Sequence, residues 1–97
     1  MYMVIRRYAM QPSQVDEVVR KVDEQYLEKL RLIPGYEGYY VIDSGDGKIT
    51  SITLSADEDV AKETNRLSKE WVDTWLQDVH LDLVETLEGR VVVHGGS

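Results

Sequence analysis

Hydrophobic and polar positions along this chain alternate between two periods, and the changes of period mark its elements. From Met1 to Met10 the period is two: Tyr2, Val4, Arg6, Tyr8 and Met10 share one face, and Met3, Ile5, Arg7 and Ala9 the other. Such alternation predicts a strand. Pro12 and Ser13 interrupt it and suit the opening of a helix. Val15, Val18, Val19, Val22, Tyr26, Leu30 and Ile33 then recur mostly three or four apart, an apolar stripe with Asp16, Glu17, Arg20, Lys21, Glu24 and Glu28 turned to water. Pro34-Gly35 ends that helix, because proline cannot continue it and glycine accepts the exit geometry.

Tyr36 to Asp43 is rich in β-formers, Ser44-Gly45-Asp46-Gly47 is a turn signal, and Lys48 to Leu54 alternates again. Two strands joined by so short a loop predict an antiparallel hairpin. Strict alternation places Tyr36 and Tyr40 on one face and Tyr39 on the other. Ser55-Ala56-Asp57-Glu58 reads as a capping box, with Ser55 as the cap. The helix behind it carries Val60, Thr64, Leu67, Ser68, Trp71, Val72 and Trp75 on one stripe and fades near Leu76 to Asp78. Two last β-rich stretches, His80 to Thr86 and Arg90 to His94, are separated by Leu87-Glu88-Gly89, and residues 95–97 form an expected mobile tail. The order β-α-β-β-α-β predicts an α+β, ferredoxin-like fold with a four-stranded antiparallel sheet.

Length and charge narrow the functional classes. A chain of 97 residues is expected to form one domain over 1–97. So small a domain hides only about two-thirds of its unfolded surface, so an oligomer interface would add useful stability. The net charge is −7, from 18 acidic and 11 basic residues, and the basic ones form no stripe. Nucleic acid and anionic membrane surfaces are therefore not expected partners. The absence of cysteine removes disulfides, thiolate nucleophiles and thiolate metal sites. His80 and His94 are the two histidines, and their spacing suits no metal motif, so no metal site is expected. The N-terminal charge order does not fit a signal peptide, and no run reaches the ~20 apolar residues of a membrane span. A cytoplasmic location is the expectation.

Certain segments resemble a known family. Leu32-Ile33-Pro34-Gly35-Tyr36-Glu37-Gly38-Tyr39 resembles the exit from first helix to second strand in antibiotic-biosynthesis-monooxygenase-type domains, where a PG-x-x-G run enters an aromatic-rich strand. Ile49 to Glu58 is similar to that family's third strand entering its second helix, and Leu87 to His94 to the terminal strand of many members. The resemblance implies that two such sheets pair face to face into a dimeric α/β barrel, a homodimer whose C-terminal strand reaches toward the partner. It implies no fixed chemistry, since members include cofactor-independent quinone-forming oxygenases, haem-degrading oxygenases and proteins without assigned activity.

The candidate site residues follow from both readings. Trp71 and Trp75, four apart, share a helix face; they line a pocket or anchor a core. The resemblance to cofactor-independent oxygenases implies a helix asparagine and tryptophan that hold substrate and stabilise an oxyanion, for which Asn65 and Trp71 are the loose counterparts. Six residues of helix turn through about 600°, so these two lie roughly 120° apart. The haem-degrading members use a first-strand asparagine where this chain carries Arg6 and Arg7, and His80 follows the helix rather than sitting in it, so haem is not expected. One of Arg6 and Arg7 must point inward along a half-buried strand, where it either joins an ion pair or anchors an anionic ligand. His80 is a candidate general base by its ordinary titration range. The expected pocket lies between sheet and second helix, lined by Arg6, Tyr40, Trp71 and Trp75, and takes a hydrophobic, aromatic or polyketide-like small molecule without a cofactor. The chain as an enzyme would be a cofactor-independent monooxygenase. The alternative is a non-enzymatic homodimeric module with a filled core.

Overall fold

The protein is described by a computed structural model covering residues 1–96; Ser97, the end of the expected tail, lies outside the described residues. Strand β1 runs Tyr2–Ala9, β2 Tyr36–Asp43, β3 Lys48–Ser55 and β4 Asp82–Arg90. They form one antiparallel sheet in the order β2-β3-β1-β4. A 3-10 turn, Pro12–Gln14, leads into helix α1, which comprises Val15–Lys21, a π-helical turn Val22–Tyr26, and Leu27–Leu30. Helix α2 is Glu58–Trp75. The order and class are those the periodicities predict: an α+β, ferredoxin-like β-α-β-β-α-β arrangement.

The π turn has a cause in the sequence. Val22, Tyr26 and Leu30 recur every four residues, and an α-helix of 3.6 residues per turn lets such a row drift around its surface. One wider turn takes up the drift, and Tyr26 and Leu30 stay buried at 4% and 0% exposure. The cap of α2 differs from expectation. Ser55 pairs with Tyr2 and Tyr36 inside the sheet, so the strand runs through it and its buried hydroxyl has no partner. Asp57, two residues on, is the cap, its carboxylate accepting from the Val60 amide at 2.9 Å. Strand β4 also differs: it continues through Leu87-Glu88-Gly89, because Leu87 pairs with Ile5 and Gly89 with Met3. It stops after Arg90 because its neighbour β1 ends there; the last bond runs from the Val91 amide to the Met1 carbonyl at 2.9 Å. The expected strand Arg90 to His94 is therefore not formed beyond Arg90, and Val92 and Val93 are exposed.

Pairing registers define two sheet faces. Toward the helices, the rows across β2-β3-β1-β4 are Tyr39-Thr53-Val4-Glu88 and Val41-Ser51-Arg6-Thr86. Both helices pack on this face, where Tyr26, Leu30, Ile49, Trp71 and Leu76 form a buried cluster. On the opposite face the central row is Tyr40-Ile52-Ile5-Leu87. That face is the more apolar of the two, and Tyr40, Ile42 and Leu87 on it are exposed.

Candidate ligand-binding site between the second helix and the sheet

Helix α2 lies over β1 and β3 and leaves β4 uncovered, every residue of which is exposed. A cleft of about 310 Å³ results, floored by Arg6 and Tyr8 of β1 and walled by Asn65, Ser68 and Val72 of α2 and Leu83 of β4. Arg6, Tyr8, Ser68 and Val72 also line an inner cavity of about 50 Å³, closed by Tyr26, Tyr39 and Trp71. The inner space is far below the ~300–1,000 Å³ of ligand pockets, whereas the outer cleft reaches that range.

The rings of the aromatic wall are in mutual contact. The Tyr26 and Trp71 rings lie 5.2 Å apart and tilted by 45°; Tyr26 and Tyr39 meet edge-on at 5.5 Å, a favoured aromatic geometry. Burial pushes the Tyr26 phenol up to about 12, partly opposed by a bond with Ser68 and the charge of Arg6. Burial also pushes the Tyr39 phenol up strongly and raises that of Tyr8. These groups stay protonated near neutrality and act as hydrogen-bond donors rather than bases. The Trp71 indole N–H is buried without a partner.

Arg6 points inward and Arg7 outward, where Arg7 pairs with Glu85 at 3.3 Å. The half-buried Arg6 guanidinium donates from Nη2 to the amide oxygen Oδ1 of Asn65. The Asn65 amide nitrogen reaches Glu88 at 3.5 Å, and the Tyr2 hydroxyl donates to the same carboxylate at 3.3 Å. Asn65 thus sets the orientation of Arg6, a contact that comparing Asn65 with Trp71 on a helical wheel could not reveal.

The structure brings together Arg6, Asn65 and Trp71 of the sequence candidates, and leaves three outside. Trp75 ends α2 with its ring half exposed and lines neither space. His80 is exposed and forms a pair with Asp82 at 2.8 Å, so no imidazole from it reaches the cleft. Tyr40 lies on the opposite sheet face at 57% exposure. The reason is a bulge: Tyr36 pairs with Ser55 and Gly38 with Leu54, leaving Glu37 without an opposite residue. The extra residue puts Tyr36 and Tyr39 together on the helix side, so Tyr39 takes the place expected for Tyr40. Tyr8, Tyr26 and Ser68 were visible only as members of apolar stripes. Neither space is lined by a histidine, so neither offers an imidazole to a haem iron. Among the described residues no three His, Asp or Glu side chains gather as a metal site, and no helix is long and apolar enough to cross a membrane.

This architecture is shared with solved structures of low sequence identity. A putative antibiotic biosynthesis monooxygenase from Bacteriodes thetaiotaomicron superposes with a TM-score of 0.73 at 19% identity, over 99% of this chain and 93% of that one. HapK from Hahella chejuensis gives 0.77 at 13% identity, over 100% and 98%. A dimeric ferredoxin-like protein from an uncultured marine organism gives 0.77 at 10% identity, over 99% and 98%. The chain therefore has the fold of antibiotic-biosynthesis-monooxygenase-like proteins, as its PG-x-x-G segment and strand order imply. No family model and no curated protein matches the sequence.

Proposed function

We propose that the protein is a homodimeric small-molecule-binding protein of the monooxygenase-like kind, with its ligand in the cleft between α2 and β4. The observation that carries this is the cleft itself, whose floor passes Arg6 into a cavity walled by Tyr26, Tyr39 and Trp71. A hydrophobic, aromatic molecule fits such walls. In the enzymatic form of this reading the protein acts without a cofactor. A phenolic substrate gives its proton to water, its ring carbanion adds molecular oxygen and takes the proton back as a hydroperoxide, and loss of water from that adduct leaves the quinone; Arg6, oriented by Asn65, and the Trp71 N–H stabilise the negative oxygen.

Tryptophan fluorescence tests the reading, since Trp71 lines the cavity. Naphthol and hydroquinones are expected to change its emission saturably, and oxygen uptake with the same hydroquinones identifies an enzyme. An unchanged emission across the panel would instead support a non-enzymatic dimeric module with a filled core, a reading to which the 50 Å³ size of the inner cavity lends weight.

The partner proposed for the open sheet face is a second copy. The row Tyr40-Ile52-Ile5-Leu87 gives an apolar stripe across all four strands, and a solvent-facing antiparallel sheet ordinarily shows polar residues there. The dimeric ferredoxin-like neighbour and the exposed Val92 and Val93 beyond the sheet support the same arrangement. Light scattering is expected to give twice the chain mass of 11.1 kDa. Ile52→Asp, at the centre of the stripe, is expected to halve it; a wild-type mass of one chain at micromolar concentration refutes the dimer.

A further inference from the structure

Arg6 differs from the arginines that meet acidic side chains in this protein. Arg7, Arg20 and Arg66 each pair with glutamates on the surface. Arg6, in a chain with 18 acidic residues, takes part in none of the ion pairs found among the described residues. Its contact is the neutral amide oxygen of Asn65. The carboxylate nearest in the sheet rows, Glu88, is engaged by Tyr2 and Asn65 instead. Lys69 and Asp73, on the rim of the cleft, pair with one another at 3.4 Å. A half-buried guanidinium facing neutral partners keeps N–H donors uncommitted, and its charge is costly there without a counter-charge.

We infer that the cleft selects aromatic carboxylic acids, with the ligand carboxylate held by Arg6 and the ring directed toward Tyr26, Tyr39 and Trp71; the inference rests on the ligand-binding reading above. The planar fork of a guanidinium matches the two oxygens of a carboxylate. Asn65 occupies Nη2 and holds the fork in place, so it is a positioning residue. The walls next to Arg6 favour one negative charge over two. Val72 and Leu83 are apolar and Lys69 and Asp73 offset one another, so Arg6 is left as the one uncompensated charge, which suits a monoanion better than a phosphate dianion.

Calorimetric titration of the full chain with naphthoate, its methyl ester and naphthalene tests the assignment. Wild-type protein is expected to bind naphthoate at least about tenfold more tightly than the ester, the range of a charge-assisted hydrogen bond. Arg6→Gln is expected to bring the two affinities together, and Arg6→Lys to recover part of the preference. Equal binding of acid and ester by the wild type overturns the inference while leaving a ligand-binding cleft intact, and this comparison needs no variant to fold. A preference for the acid that survives in Arg6→Gln also overturns it. Binding of none of the three overturns the inference and the ligand-binding reading together.

Discussion

Trp71→Ala is expected to lower the free energy of unfolding by about 3–5 kcal/mol, the range for removing a large aromatic side chain from a core. The ring is 4% exposed and lies against Tyr26 at 5.2 Å, so its removal leaves Tyr26 with Tyr39 as its remaining ring contact. One effect opposes the loss. The indole N–H is buried without a partner, and an unpaired buried donor costs about 1–3 kcal/mol. The net loss should therefore fall near the lower end. Trp71→Phe separates the two effects, because it keeps a ring and discards the donor. Its cost is expected to fall well below that of Trp71→Ala, because the cavity it leaves is smaller. Urea unfolding of both variants at one fixed protein concentration makes the comparison, since the stability of the proposed dimer would depend on concentration. A domain of this length has roughly 5–15 kcal/mol in total, so the alanine variant should unfold at clearly lower urea. A loss under about 1 kcal/mol would show that Trp71 is not a core anchor.

The two roles of Trp71 also show how far the sequence could be read. Strand order and helix positions were legible because period two and the three-to-four spacing follow directly from which face is buried. The same alternation correctly placed Arg6 with Val4 and Tyr8. It failed between Tyr36 and Tyr40, placed on one face, because one bulged residue at Glu37 inverts every side chain before it relative to those after it. It also failed at Ser55, whose residue type suits a cap but whose backbone is claimed by strand pairs on both sides. The end of β4 depended on where β1 begins, a tertiary fact that no local pattern contains. Nor could a helical wheel reveal the contact between Asn65 and Arg6, which joins residues 59 apart in the chain. The site was thus half legible. Its residue types were visible as single candidates, and their grouping required the sheet register.

The hairpin turn holds the second large effect. Gly47 has a φ of +79°, and a Cβ added there would lie 1.9 Å from the Met10 carbonyl oxygen. That is backbone, not a side chain that can swing aside. Gly47 is fixed in place from the other direction as well, since its own carbonyl accepts from the Met10 amide at 2.9 Å. Gly47→Ala must therefore push the turn away from the end of β1. The left-handed conformation alone costs an L-residue about 1–2 kcal/mol, and the displaced contact adds to it, so a total loss of about 3–4 kcal/mol is expected, within the range reserved for special backbone positions. Gly45→Ala is the control. Its φ is +90° but nothing lies within 4 Å of the added Cβ, so its expected cost is that backbone strain alone, about 1–2 kcal/mol. The difference between the two, read from chemical denaturation, isolates the collision from the conformation. The effect also reaches the site, because Met10 and Ile49 on either side of this contact both line the inner cavity. Gly47→Ala protein that remains folded should therefore bind an aromatic ligand more weakly than Gly45→Ala protein, and equal stability of the two variants would refute the steric argument.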